Sequence, residues 1–405
     1  MDNEKISWIK STCAYCGVGC GIEARINNNG KLEIKGDSDH PANKGRLCSK
    51  ALNLVETLVS DNKMLTPQIL HQPVSWNEAL NQTALQLQET ITKYGTDAVA
   101  FYVSGQLLTE DYYVINKLAK GFIGTANIDT NSRLCMSSAV VGHQRAFGED
   151  CVAGCYDDLD AAAVVILTGS NLAWCHPVLF QRLKLAQKKH HTKIVVIDPR
   201  YTASCDIADL HLAITPDSDV ALFTGLLNYL NNNNGFDHDY INAHTHNIQS
   251  ALATATALEQ TADISQLTGI SKQQLNEFYQ LFTDNPRTVT VYSQGVNQSL
   301  SGTDKVNAII NCHLATGRIG KPGATPFSIT GQPNAMGGRE VGGLATTLAA
   351  HLDFQHPEHW QLLRNFWQTD NLVTHPGLKA VDMFDAVARG KIKAIWIIAT
   401  NPAAS

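Results

Sequence analysis

Four cysteines near the amino terminus constrain this chain more than any other feature. The stretch from Ser11 to Lys50 opens S-T-C-A-Y-C-G-V-G-C-G and closes G-R-L-C-S-K, placing Cys13, Cys16, Cys20 and Cys48 at C-x2-C-x3-C-x27-C. Three thiols from one tight turn, with a fourth arriving alone, suit one face of a small inorganic cube. Gly17, Gly19 and Gly21 let the backbone wrap such a centre, because glycine takes positive φ at no steric cost. Structural zinc sites usually draw their ligands as two short hooks, whereas a [4Fe–4S] cluster is held by four thiolates. The spacing predicts a [4Fe–4S] site, with zinc as the alternative.

The surroundings of the quartet read as a small domain. Ile22 to Ile26 and Lys31 to Lys35 form two short strands about the turn N-N-N-G, a hairpin signal. Lys50 follows the last cysteine by two positions. It is either a solvated surface lysine or a cation between the cluster and a second redox centre.

Beyond residue 60 the pattern becomes α/β. Ser75 with Glu78 predicts a capping box for a helix from Trp76 to about Tyr94, stopped by Gly95. Ala98 to Val103 reads as a buried strand ending in Ser104-Gly105-Gln106, with a helix from Glu110 to about Phe122 after it. Ala163 to Leu167 ends in Thr168-Gly169-Ser170-Asn171, and Lys193 to Ile197 ends in Asp198-Pro199-Arg200. Thr288 to Tyr292 ends in Ser293-Gln294-Gly295-Val296-Asn297-Gln298, and Ala394 to Ala399 runs into Thr400-Asn401-Pro402. In sheets of this kind ligands sit at the carboxyl ends of strands. Polar loops recurring at that position predict one long, phosphate-bearing ligand spread over the sheets. Asp198 could accept from a ribose or a guanine amino group, and Arg200 could pair with a phosphate. There is no G-x-G-x-x-G and no Walker lysine loop, so the ordinary NAD or ATP mode is not expected. His238, His244 and His246 read as exposed, Asp217 as a helix cap. Cys135 precedes a small-residue helical stretch; from the residues alone it reads as a buried structural thiol, with a dipole-favoured thiolate as the alternative. The stretch G-R-I-G-K-P-G-A-T-P-F-S-I-T-G-Q-P-N-A-M-G-G-R-E-V-G-G is too long and too apolar for a solvent linker, and ordered loops of that kind are usually functional.

Composition sets the outer bounds. With 405 residues, 44% hydrophobic and 17% charged, the chain can bury two or three cores. A net charge of −6 leaves no basic footprint for nucleic acid. No apolar run reaches the roughly 18 residues of a membrane helix. Ten cysteines are too few for a disulfide framework in a chain this long. The opening M-D-N-E-K-I-S-W carries no export pattern, and a cytoplasmic home is expected. The ending I-I-A-T-N-P-A-A-S, just past a strand, is expected to mark a fragment.

Taken together these motifs resemble the molybdopterin oxidoreductase family, over essentially the whole chain. The cysteine opening is similar to that family's [4Fe–4S] domain, and N-S-R-L-C-M-S-S-A-V-V-G to the molybdenum-ligand segment of its nitrate reductases. T-G-S-N with His176-Pro177, and S-Q-G-V-N-Q, resemble loops that bind two molybdopterin guanine dinucleotides. T-G-Q-P-N-A-M-G-G-R-E-V-G-G is most similar to bacterial assimilatory nitrate reductases. The resemblance implies an α/β fold: a cluster domain at 1–60, a discontinuous cofactor-binding domain at 61–145 plus 325–405, a doubly wound one at 146–324, and a C-terminal β-barrel domain that is missing. It makes Cys135 the molybdenum ligand, against the structural reading. Lys50 is implied between cluster and pterin, and Gln106, Asn131, Gly169, Ser170, Asn171, Asp198, Arg200, Thr202, Asp219, Gln294, Gln298 and Asn401 as cofactor contacts. Arg339 is the candidate for the substrate anion, since guanidinium suits a planar oxyanion. The implied reaction is two-electron oxygen-atom transfer from nitrate, with electrons from ferredoxin, flavodoxin or an NADH-dependent flavoprotein. A formate dehydrogenase of the same scaffold is the first alternative; there a histidine is expected after the metal-bound residue, and here Met136 follows Cys135. A non-catalytic electron-transfer subunit should lack the metal thiolate. A zinc-bearing interaction module is the third. The 405-residue chain by itself is expected to be inactive.

The quartet can be tested directly. Cys48→Ser should abolish the cluster's broad visible absorption and lower iron content; stoichiometric zinc with iron near zero in anaerobic wild-type protein would sink the cluster assignment.

Overall fold

A computed structural model describes residues 7–58 and 63–404. The expected boundary near residue 60 falls outside the described residues. Thirteen strands follow in order: β1 (Ile9–Thr12), β2 (Gly21–Ile26), β3 (Leu32–Gly36), β4 (Gln68–Ile69), β5 (Gln72–Pro73), β6 (Val99–Val103), β7 (Ile128–Thr130), β8 (Val164–Thr168), β9 (Lys193–Ile197), β10 (Leu210–Leu212), β11 (Thr288–Tyr292), β12 (Thr325–Ser328) and β13 (Ala394–Ile397). β1–β2–β3 form a small antiparallel sheet carrying the cysteine loop, and β4–β5 a short hairpin. β10–β9–β8–β11–β12 form a five-stranded parallel sheet, and β13–β6–β7 a three-stranded parallel one.

The larger sheet is buried on both faces, as parallel sheets are. Alternation along β8 shows this: Val164 and Ile166 enter one core with Phe223, Leu226 and Phe278, while Val165 and Leu167 enter another with Leu179 and Leu183. Cys13, Val18, Cys20 and Ile22 belong to that second core, so the cysteine domain shares the core on that face of the sheet. The smaller sheet repeats the pattern. Val99, Phe101 and Val103 face Ile128 and Tyr112, while Ala100 and Tyr102 face Ala380 and Met383.

Two features depart from the sequence expectation. β12 pairs with β11 as an edge of the five-stranded sheet, so the return to the first sheet comes after residue 328 and not at 325. The helix expected from Glu110 to Phe122 is α-helical only over Thr109–Asn116 and continues as a π-helix over Lys117–Ile123. The long helix Trp76–Tyr94 starts as expected, with Ser75 Oγ accepting from the Glu78 amide (3.2 Å).

Arg182 pins the cysteine domain to the sheet. It is buried, and Nη1 donates to the carbonyls of Pro41 (2.8 Å) and Ala42 (2.9 Å), while Nε and Nη2 reach Asp160 and Asp157 (2.7–3.1 Å). Tyr156 adds a hydroxyl bond to the Gly17 carbonyl (2.8 Å). Arg182→Met strands two carbonyls but leaves partly exposed carboxylates that water can reach, so it should cost about 2–4 kcal/mol. Chemical denaturation should show that loss, with cluster absorption disappearing in the same transition.

Candidate cofactor site

The cysteine loop is closed by its own backbone: the Cys13 amide donates to the Cys20 carbonyl (2.8 Å), and the Gly19 amide, at φ 63°, to the Cys16 carbonyl (3.2 Å). Burial raises the thiols of Cys13, Cys16 and Cys20, the last to about 12, and neighbouring thiols of the quartet push each of them further. Three thiols held protonated in this way call for a cationic centre to deprotonate them, since metal binding displaces thiol protons. Among the described residues no three His, Cys, Asp or Glu side chains close around a single ion, so geometry alone does not choose between zinc and a cluster. Lys50 is exposed and acts on Cys16 by lowering its pKa.

The loop touches the return segment. The Gly17 amide donates to the Gly331 carbonyl (3.1 Å), and a Cβ at Gly17 would collide with the Thr330 carbonyl. From there T-G-Q runs to the smaller sheet. Gln332 donates to Asn131 Oδ1 (3.0 Å) and accepts from Ser132 Oγ (3.0 Å); Asn131 Oδ1 also accepts from the Gly105 amide (3.1 Å), and Asn131 Nδ2 donates to Thr400 Oγ1 (3.3 Å). Gly105, Asn131 and Thr400 therefore meet at the ends of β6, β7 and β13, and the expected Gln106 and Asn401 are their chain neighbours.

A second group lines a cleft of about 510 Å³ at the ends of β8, β9 and β11. Gly169, Ser170, Asn171, Asp198, Arg200, Asp219, Gln294 and Gln298 all border it. Thr202 does not; it is buried beside Cys205. The loops meet at glycine: Gly169 sits at φ 54° and its carbonyl accepts from the Gly295 amide (3.0 Å), with room for no Cβ. Lys305 underlies the cleft, paired with Asp217 (2.7 Å) and Asp219 (2.8 Å). Asp217 thus serves the ion pair at φ 71° and does not cap the helix. A larger cleft, about 760 Å³, lies among Tyr229, Glu259 and Lys272 and includes none of the expected residues. His238, His244 and His246 are exposed, as expected.

Cys135 lies between the two groups, in the first turn of Ser132–Phe147, half-buried. Gln294 Nε2 donates to its sulfur (3.1 Å). Met136 breaks the helix at φ −146°, ψ 23°, and beyond the break the Ala139 amide donates to Asn297 Oδ1 (2.8 Å). Arg339 is not a free cation: it is buried and paired with buried Asp150 (3.1 Å). Burial pushes the Asp150 carboxyl up, but His143 and Arg339 outweigh it and hold the group below the usual carboxylate range. His143 Nε2 meets the Tyr292 hydroxyl at 2.8 Å. Asp150 and His143 carried no motif in the sequence; only their burial reveals them. Gln332 was visible within T-G-Q-P.

The donor set fits a large polar ligand. Thr168 Oγ1, Ser170 Oγ, Ser328 Oγ and Thr330 Oγ1 are buried without protein partners; Thr168 and Ser328 close β8 and β12, and Ser170 and Thr330 lie two residues beyond them. The His176 Nε2 contact with the Thr330 carbonyl (2.6 Å) requires a proton on Nε2, which leaves buried Nδ1 a bare acceptor. Buried polar atoms are normally paired.

A cysteine domain beside two sets of strand-end loops defines a metalloprotein scaffold built around a large polar ligand. The molybdopterin oxidoreductase family model matches residues 70–405, and the molybdopterin oxidoreductase Fe4S4 domain matches residues 6–60. The chain belongs to the molybdopterin oxidoreductase family, with a [4Fe–4S] cluster and molybdopterin-bound molybdenum as its cofactors, and the zinc alternative falls. A nitrate reductase of Shewanella frigidimarina is 53% identical, covering 99% of this chain and 44% of that protein. One from Klebsiella oxytoca is 51% identical over 98% and 45%. A periplasmic nitrate reductase of Desulfovibrio desulfuricans is 36% identical over 99% and 55%. The chain spans about half the length of the curated relatives it matches. In fold it is similar to acetylene hydratase from Pelobacter acetylenicus, with a TM-score of 0.67 at 20% identity over 78% of this chain and 44% of that one.

Gly169→Val tests the cleft. The added carbons meet Gly295 backbone at 2.8 Å and sit in a left-handed conformation. Molybdenum content should fall by about tenfold or more, on a strain of about 1–3 kcal/mol, while cluster absorption stays at the wild-type level.

Proposed function

We propose that the protein carrying this chain reduces nitrate to nitrite, as an assimilatory, cytoplasmic nitrate reductase. The observation that carries this reading is a half-buried Cys135 thiol, bonded by Gln294 and followed by Met136, in a chain about half identical to proteins named nitrate reductase. In this reading Cys13, Cys16, Cys20 and Cys48 hold the cluster and Cys135 binds molybdenum, a soft thiolate on a sulfur-rich centre. Two strand-end groups, one at each parallel sheet, support a bis(molybdopterin guanine dinucleotide) form. When bound, that centre supplies two-electron oxygen-atom transfer. Nitrate takes up two electrons and two protons and leaves as nitrite and water.

The chain's own residues orient and balance charge. Gln294 fixes the Cys135 sulfur. Asp198 and Asp219 accept from a purine or ribose in the cleft, and Arg200, exposed at its rim, meets phosphate. Arg339 draws the substrate anion less by a free charge than through the buried Arg339–Asp150–His143 chain that sets where its guanidinium stands. Lys50, two residues past Cys48, carries electrons on from the cluster toward the nearer pterin. Arg46, Lys189 and His190, with Lys44 paired to Asp157 and Asp160, line a cleft of about 360 Å³ against the cysteine domain, and its excess of basic side chains suits an acidic carrier such as ferredoxin or flavodoxin, or a flavoprotein using NADH. Among the described residues no helix is long and apolar enough to cross a membrane.

Formate oxidation is the competing chemistry on this scaffold. Met136 is buried and offers no proton acceptor beside Cys135, which disfavours it. The full-length enzyme, supplied with dithionite-reduced viologen, should form nitrite from nitrate. Formate-dependent dye reduction without nitrate reduction would overturn the proposal. Lys50→Met should leave molybdenum and iron near wild type and slow turnover by about tenfold with a low-potential protein donor, as expected for a charge that tunes potential and not fold.

A further inference from the structure

The π-helical turn Lys117–Ile123 carries a fully buried lysine that the site described above does not use. Lys120 Nζ donates to three backbone carbonyls: Gly342 (2.6 Å), Leu344 (2.8 Å) and Thr347 (2.6 Å). Those carbonyls belong to one turn that follows the short helix Ala335–Glu340, on which Arg339 sits. The turn is folded back on that helix, with the Gly342 amide donating to the Arg339 carbonyl (3.0 Å) and the Gly343 amide to Gly338 (2.8 Å). On its other side it meets the segment before Cys135. Arg133 Nη2 donates to Thr346 Oγ1 (3.3 Å), and Asp129 Oδ1 accepts from the Ala345 amide (3.4 Å).

The choice of lysine is informative. Burial pulls its pKa down to about 7, with Asp129 raising it and Arg133 lowering it. Those two charges are engaged with each other by a two-point pair (3.1 Å each). An ammonium held only by carbonyls is costly to bury, and a π-turn is itself uncommon outside functional sites. Only an ammonium presents three donors from one tetrahedral head; guanidinium is a planar fork. Three inward carbonyls converging on one point require that geometry.

We propose that Lys120 is a positioning residue for the reaction: its ammonium locks the Gly342–Thr347 turn and thereby holds in place Arg339, on the helix before that turn, and Arg133, two residues before Cys135. The proposal rests on the nitrate reading for its kinetic consequence and not for the clamp itself. In Lys120→Met the stem stays but all three carbonyls lose their donor. In Lys120→Arg charge stays but the donor geometry does not.

The test uses the full-length holoenzyme and its Lys120→Met and Lys120→Arg variants, with cluster absorption as the folding control. Amide exchange of the peptide covering 335–347 should quicken by about tenfold in Met. The nitrate KM should rise by about tenfold, the Mo(V) resonance should change its line shape, and Arg should not restore either. If Met does not fold, Lys120→Gln, which keeps two N–H donors, carries the same comparison. Exchange within about twofold of wild type overturns the clamp. Faster exchange with unchanged KM and unchanged Mo(V) line shape overturns the positioning role. Wild-type enzyme that reduces no nitrate defeats the functional reading alone, and the exchange and resonance data still decide the clamp.

Discussion

A parallel sheet covered on both faces leaves polar groups only one place to gather, and that constraint governs this molecule. β8, β9 and β11 bury alternate residues in two different cores, so hydroxyls, amides and carboxylates collect where the strands stop. The smaller sheet obeys the same rule at β6, β7 and β13. Ligand contacts at those ends follow from packing before any chemistry is considered. The loops can converge because Gly169 and Gly295 approach backbone to backbone; any side chain there would hold the two strand ends apart.

Buried cations do the rest of the joining. Arg182, Lys305 and Arg339 each meet carboxylates, and each links segments distant in sequence. Lys120 and Arg318 instead meet carbonyls. Breaking a buried pair costs far more than an exposed one yields, so these residues fix how loops sit relative to strands. They are also the part of the site that periodicity does not disclose.

The strands were largely legible. Lys193–Ile197 and Thr288–Tyr292 fall where apolar runs bounded by polar loops place them, and the helix from Trp76 to Tyr94 is bounded by Ser75 and Gly95 as its capping chemistry dictates. The edge strand β12 was not assigned to its sheet, because T-P-F-S lies inside a glycine- and proline-rich stretch and its pairing with β11 is set by tertiary contact. Arg339 was legible as a residue of interest but not as a partner of Asp150, since 189 positions separate them (339 − 150). The π-turn has no local signature: K-L-A-K-G-F-I reads as ordinary helix until Lys120 is seen reaching three carbonyls. The Fe4S4 domain was legible from the spacing of its cysteines, three of which fall within one turn.

Cys13 and Cys20 are counted among the interior side chains beneath the five-stranded sheet, together with Val165, Leu167, Val289 and Phe327. The loop proposed to hold the cluster is therefore a wall of the protein's interior and not a cap on its surface. Oxidative destruction of the inorganic core would withdraw support from that wall, exposing apolar sheet face along with the thiols. Chaperones and proteases recognise such surface in partly opened chains. A chain without that core would lose part of its hydrophobic interior and not only a redox centre.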